Sequence, residues 1–318
     1  MRRTAVADAR NGTSAPFGRL MTAMITPFKE DGAVDFERAA ELARNLVASG
    51  NDGLIVTGTT GEGPTLTEDE KLELYRVTKR AVGEASIIAG TGNYNTAESI
   101  HLTREAEKCG VDGALLVVPY YNNPPQEGLY RHFKAIASAT SLPCILYNVP
   151  PRSPRNLDAA TLKRLAEIDN VVGVKEASGK LEQFNAVISA VPDGFLVYSG
   201  NDSDTHTIMS LGGYGVISVS AHLVAGRTKR MIELLAAGRT AEAAAIHLEL
   251  LPLVEALFWQ PNPMPVRAAL NELGFRVGTP RLPLIDLTDA EKERLRAVLA
   301  RYEFDPYLSK QPVGAESR

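Results

Sequence analysis

Short apolar runs and longer segments of helical period alternate along most of the chain. Runs at 20–27, 53–58, 86–91, 113–119, 143–149, 171–176, 195–199 and 215–219 have the length and composition of strands. Between them, over 35–49, 68–82, 97–109 and 126–139, apolar residues recur three or four positions apart and fall on one face of a helix. Several runs are apolar at consecutive positions, as in Leu115-Leu116-Val117-Val118. Such strands are covered on both faces, as in a parallel sheet wrapped by helices. The pattern predicts an α/β fold, a closed (β/α)8 TIM barrel, with an open doubly wound sheet as the alternative. Past residue 236 the strand runs stop, and 241–258, 266–273 and 289–301 read as helices. The expected division is a disordered tail over 1–16, the barrel over 17–236 and a small C-terminal helical extension over 237–318.

Composition narrows the partners. A chain of 318 residues can bury a large core, and 34 basic against 38 acidic residues give a net charge of −4 without any basic block. That balance excludes a nucleic-acid surface or a charged membrane face and leaves a small molecule as the expected ligand. Cys109 and Cys144 lie far apart without disulfide or zinc spacing, so two reduced thiols are expected. The first residues carry Arg2, Arg3 and Arg10 but no apolar stretch of signal-peptide length, and no run could span a bilayer. A soluble cytoplasmic protein is expected.

In a barrel the chemistry gathers at the C-terminal ends of the strands. Lys175 follows the run Val171-Val172-Gly173-Val174 directly. Burial there disfavours the ammonium and frees an amine able to form a Schiff base with a ketone, unless Glu176 beside it pairs with the charge. Loop 58–62, GTTGE, offers glycine turns, two hydroxyls and backbone N–H groups to a carboxylate, or else a capped turn into the next helix. The fourth strand ends in Pro119-Tyr120-Tyr121-Asn122 and the fifth in Tyr147-Asn148-Val149-Pro150-Pro151-Arg152. Phenols there can pass protons, or anchor the rim, and an arginine fork suits a substrate carboxylate. The stretch Asn201-Asp202-Ser203-Asp204-Thr205-His206 offers cation ligands but is expected to cap the next helix, and no metal is expected. Gly212-Gly213-Tyr214-Gly215 precedes the eighth strand and so lies on the stability face, and His101, His132, His222 and His247 form no ligand pair.

The strings GTTGE, PYYN (119–122), YNVPPR (147–152), GVKEASG (173–179), GVISV (215–219) and PNPMPVR (261–267) resemble the dihydrodipicolinate synthase / N-acetylneuraminate lyase family of pyruvate-dependent class I aldolases. The resemblance covers about 20–285 and favours the synthase branch. It implies that Lys175 captures pyruvate as a Schiff base, that Thr59 and Thr60 hold the pyruvate carboxylate, and that Tyr147 shuttles protons beside the imine. Thr60 and Tyr121 would complete the relay, Tyr121 coming from a neighbouring subunit. Arg152 would bind the carboxylate of aspartate semialdehyde, and Gly200 and Ile217 would line the pyruvate pocket. The implied product is 4-hydroxy-tetrahydrodipicolinate, on the route to lysine and diaminopimelate. No metal or organic cofactor is implied, and the implied assembly is a homotetramer, a dimer of dimers.

Arg152 separates this branch from the sugar-acid lyases. Ser153-Pro154, where threonine and glycine are commoner, is a departure that bears on the second substrate. The other readings are a pyruvate-releasing aldolase or dehydratase acting on a sugar acid, and a non-catalytic barrel that senses a keto acid. The family's lysine-feedback site maps to Gly63, Pro64, Glu68, Lys71, Tyr94 and Glu98. The strongly inhibited type has histidines at the positions of Glu68 and Lys71 and asparagine at that of Tyr94. Weak or absent inhibition by lysine is therefore expected.

Overall fold

The computed structural model describes residues 15–309; the tail expected over 1–16 falls almost wholly outside them. Eight parallel strands close into a barrel in chain order: β1 Leu20–Ala23, β2 Gly53–Val56, β3 Ser86–Gly90, β4 Gly113–Val117, β5 Cys144–Asn148, β6 Val171–Glu176, β7 Leu196–Ser199 and β8 Gly215–Ser218. The first pairs with the last, Leu20 opposite Val216, so no sheet edge is left open. The open doubly wound alternative is thereby set aside.

Most strands are shorter than their apolar runs, because burial outlasts pairing. Beyond Ala23 the chain leaves the sheet, yet Met24, Ile25 and Phe28 stay buried, and Ile25 N–H donates to His222 Nε2 at 3.1 Å. Inward residues such as Met21, Ile55, Ile88, Leu115, Ile145, Leu196 and Ile217 fill the barrel. Outward residues meet the helices. Helix Glu68–Val82 starts where a capping box dictates, Glu70 N–H donating to Thr67 Oγ1 and the Glu70 carboxylate accepting from Thr67 N–H. Both cysteines are free, Cys144 buried and Cys109 half-buried.

Helices Thr240–Ala256, Met264–Glu272 and Asp289–Leu299 follow the last barrel helix, Ala225–Ala236. Leu253, Leu257, Val266, Leu270 and Leu295 join one apolar cluster with Leu42, Leu46, Leu54 and Leu74 of the barrel. We propose the end of the barrel proper at residue 236, with the later helices packed on it as an extension.

Candidate active site

Register sets the inner layer of the site. Lys175 of β6 lies opposite Tyr147 of β5 on one side and Tyr198 of β7 on the other. All three point inward, because directly opposed residues of parallel strands share a face. Lys175 is 5% exposed and makes no hydrogen bond or ion pair among the described residues, and its Nζ stands 4.4 Å from the centre of the Tyr147 ring. Glu176 points to the other face. Its carboxylate accepts from Asn148 Nδ2, the Ser178 N–H and Gln183 Nε2, so the alternative of a neutralised lysine does not hold. Burial lowers the Lys175 ammonium to about 8, the Asp202 carboxylate opposing the fall and Arg152 adding to it. At pH 7 roughly one such lysine in ten is the free amine, a fraction far above that of an ordinary lysine.

Burial raises the pKa of the Tyr147 phenol, against the charge of Arg152 and a hydrogen bond with the Thr59 side chain. Thr59 and Tyr147 line the same cavity. Thr60 is 2% exposed, and its Oγ1 accepts from Asn262 Nδ2 at 2.9 Å. Gly200 packs on the lysine stem; a Cβ there would fall 3.1 Å from Lys175 Cγ and 2.6 Å from Ala177 Cβ. Ile217 is buried inside the barrel among Met21 and Tyr198.

The loop that carries the two threonines is held from below. Thr57 and Glu62 adopt φ of 58° and 54°, and a Cβ on Gly63 would stand 2.2 Å from the Thr57 carbonyl oxygen. That turn accepts only glycine at 63. The Glu62 carboxylate is fully buried against Arg267, which donates from Nη2 at 2.6 Å, and accepts the Arg281 N–H at 3.0 Å. Arg267 also donates to the Thr26 and Val277 carbonyls, and the Thr26 hydroxyl donates to the Gly61 carbonyl at 2.6 Å. Residues of the C-terminal extension therefore anchor a loop of β2. Sequence reasoning gave Glu62 and Arg267 no role, although both stand inside the quoted strings.

Arg152 is exposed on the turn after β5, where its N–H and that of Ser153 close on the Val149 carbonyl. Tyr121 is 89% exposed with φ of 69°, directed away from its own barrel. One cavity of about 510 Å³ is lined by Thr59, Tyr147 and Arg152 and also by Gly63, Pro64, Lys71, Tyr94 and Glu98. Glu68 bonds His101 Nε2 at 2.8 Å instead. Burial lowers the Lys71 ammonium, with Glu68 and Glu98 opposing the fall.

The segment after β7 differs from expectation. Asn201 and Asp204 make no side-chain cap to the short helices they precede. The buried Asp202 carboxylate instead accepts from the Val219 and Ser220 N–H groups and from the Ser218 and Ser220 hydroxyls, tying the end of β7 to the loop after β8. His206 and His247 lie with ring centres 5.6 Å apart, a pairing that sequence spacing did not show. Among the described residues no group of three or more potential ligands could hold a metal.

A parallel barrel with an uncompensated lysine on β6, a phenol beside it and hydroxyls on the β2 loop defines a lysine-dependent carbonyl enzyme of the Schiff-base type. The model of the dihydrodipicolinate synthetase family matches residues 16–302, and the chain belongs to that family. The 4-hydroxy-tetrahydrodipicolinate synthase of Moorella thermoacetica is 56% identical over 284 residues, 89% of this chain and 97% of that protein. That of Symbiobacterium thermophilum is 54% identical over 286 residues, again 89% and 97%. The crystal structure of the Cyanidioschyzon merolae enzyme with lysine bound superposes with a TM-score of 0.89 at 46% identity, covering 91% of this chain and 99% of that one.

Proposed function

We infer that this protein condenses pyruvate with L-aspartate semialdehyde to give 4-hydroxy-tetrahydrodipicolinate, a Schiff-base lyase reaction of lysine and diaminopimelate synthesis. The observation that carries this is the Lys175 amine, buried against the Tyr147 ring and unpaired among the described residues, in a chain of this family. Lys175 Nζ attacks the pyruvate ketone carbon, and loss of water gives the protonated imine. The imine accepts the electron pair as a proton leaves the methyl carbon, and the enamine so formed attacks the aldehyde. The amino group of the semialdehyde then adds to the imine carbon, closing the ring and releasing Lys175. The electron sink is made from the lysine and the substrate, so the chemistry calls for neither metal nor organic cofactor.

Roles follow from position. Thr59 and Thr60 receive the pyruvate carboxylate, Gly200 and Ile217 shape its pocket, and Tyr147 moves protons at the imine. Thr59 lines the cavity beside Tyr147, which supports it as the inner relay hydroxyl, with Thr60 turned toward Asn262. Arg152 receives the semialdehyde carboxylate. The exposure of Tyr121 supports its completing the site of another copy, and with it a homotetramer built from dimers, although one solved relative is a monomeric variant. Among the described residues no helix is long and apolar enough to cross a membrane, and we place the protein in the cytoplasm with its substrates. The feedback positions Gly63, Pro64, Glu68, Lys71, Tyr94 and Glu98 carry an ammonium of their own, Lys71, which supports weak inhibition by lysine.

The test is turnover with both substrates, coupled to reduction of the product and followed as nicotinamide oxidation. Turnover together with a borohydride-trapped pyruvate adduct on the Lys175 peptide is the expected outcome. An adduct without turnover would move the substrate to a sugar acid; no adduct would leave a keto-acid sensor.

A further inference from the structure

Asn262 belongs to the C-terminal extension, just ahead of helix Met264–Glu272, yet it meets two strand-end loops of the barrel. Its Nδ2 donates to Thr60 Oγ1 at 2.9 Å across 202 positions of sequence, and its backbone carbonyl accepts from Arg152 Nη2 at 3.3 Å. Asn262 is 7% and Thr60 2% exposed, so bulk water does not compete for their bond. We propose that Asn262 is a positioning residue that aims the Thr60 hydroxyl at the pyruvate carboxylate and steadies Arg152 for the second substrate, resting on the substrate assignments made above.

Polarity carries the inference. A hydroxyl has one hydrogen to give and lone pairs to receive. Asn262 fills a lone pair of Thr60 Oγ1, and Thr60 makes no other side-chain hydrogen bond among the described residues, so its hydrogen stays available to an anion. The amide keeps this orientation although its Oδ1 is buried without a partner among the described residues. Aspartate at 262 has the same shape and the opposite effect: its carboxylate draws the Thr60 hydrogen to itself and repels an incoming carboxylate. Alanine removes the restraint without reversing it. Both replacements leave the backbone carbonyl that receives Arg152.

The full-length enzyme, Asn262→Ala and Asn262→Asp are compared by the pyruvate concentration that half-saturates the borohydride-trapped adduct, by KM for both substrates and by thermal melting. Half-saturation should rise about fivefold in Asn262→Ala and about thirtyfold or more in Asn262→Asp, as for a lost neutral hydrogen bond and then a like charge in its place. KM for the semialdehyde in Asn262→Ala should stay within about twofold, since its link to Arg152 is through the backbone. In a Thr60→Val background Asn262→Ala should not alter pyruvate half-saturation further, while Asn262→Asp keeps only the repulsion of its charge. A space-filling role would make the isosteric aspartate the milder change; that order, unchanged half-saturation in both variants, or a persisting effect of Asn262→Ala in Thr60→Val would overturn the proposal. If a replacement at 262 does not fold, Thr60→Val alone decides: pyruvate half-saturation unchanged from the native enzyme overturns it. A native enzyme that traps no pyruvate would overturn the substrate assignment instead.

Discussion

The loops after β2 and β4 both contain residues at positive φ, and they are held in opposite ways. In the first, Thr60, Gly61 and Glu62 are buried and bonded to Asn262, Thr26, Arg267 and Arg281. In the second, Tyr121 stands 89% exposed, and the surrounding contacts are surface ones, such as Asn122 Nδ2 to the Tyr94 carbonyl at 3.2 Å. The difference separates two tasks. The part that must hold a substrate carboxylate in fixed geometry is built inside one protomer, where preorganisation is strongest. The outer end of the proton relay is presented outward, where a second copy can complete it.

Changes that strike the fixed half should cost most. Lys175→Ala is expected to abolish both the trapped pyruvate adduct and turnover, read by mass spectrometry and the coupled assay; a surviving adduct would move the nucleophile to another lysine. Arg267→Met leaves Glu62 as a buried charge without its partner and should cost about 3–5 kcal/mol of stability by denaturant melting. A melt unchanged from the native protein would mean that the loop does not depend on the pair.

Tyr121→Phe addresses the open half. It should lower kcat about a hundredfold and leave the melting temperature unchanged, since the side chain is 89% exposed. Activity per subunit should also fall on dilution if the phenol comes from another copy; a dilution-independent rate would place the relay within one chain.

Titration sharpens the comparison further. The lysine pKa is lowered to about 8 and its free amine is the nucleophile, so adduct formation should rise with pH and level off above about 8. Asp202→Asn removes the charge that opposes the lowering, which should move the inflection below that of the native enzyme. A rate still climbing toward the ordinary lysine range would show that the amine is not desolvated. The smallest effect is expected from added lysine, with Lys71 already facing Glu68 and Glu98. Half-inhibition well below millimolar lysine would contradict this.

How far the sequence could be read follows the same division. The sixth strand was legible to the residue, Val171–Glu176, because strand geometry and burial coincide there. The first was overextended to residue 27, since Met24, Ile25 and Phe28 are buried outside the sheet and an apolar pattern reports burial, not pairing. Lys175 and Tyr147 stood out at strand ends, where direction is set by alternation. Thr59 and Thr60 sit between Thr57 and Glu62, both at positive φ, where no period tells which hydroxyl turns to the phenol. Asn262 was hidden for another reason: its partner lies 202 positions away, and nothing local to either residue marks the contact.

The buried pairing of Glu62 with Arg267 and the backbone of Arg281 also sets an order of events during synthesis. The eighth strand ends at Ser218, so the ribosome delivers every strand of the barrel well before it delivers either arginine. Until then Glu62 has no cation to face, and the loop that bears both threonines has no lower support. The pyruvate site thus waits on residues made after the last strand, and the strands of the barrel are not by themselves enough to finish it.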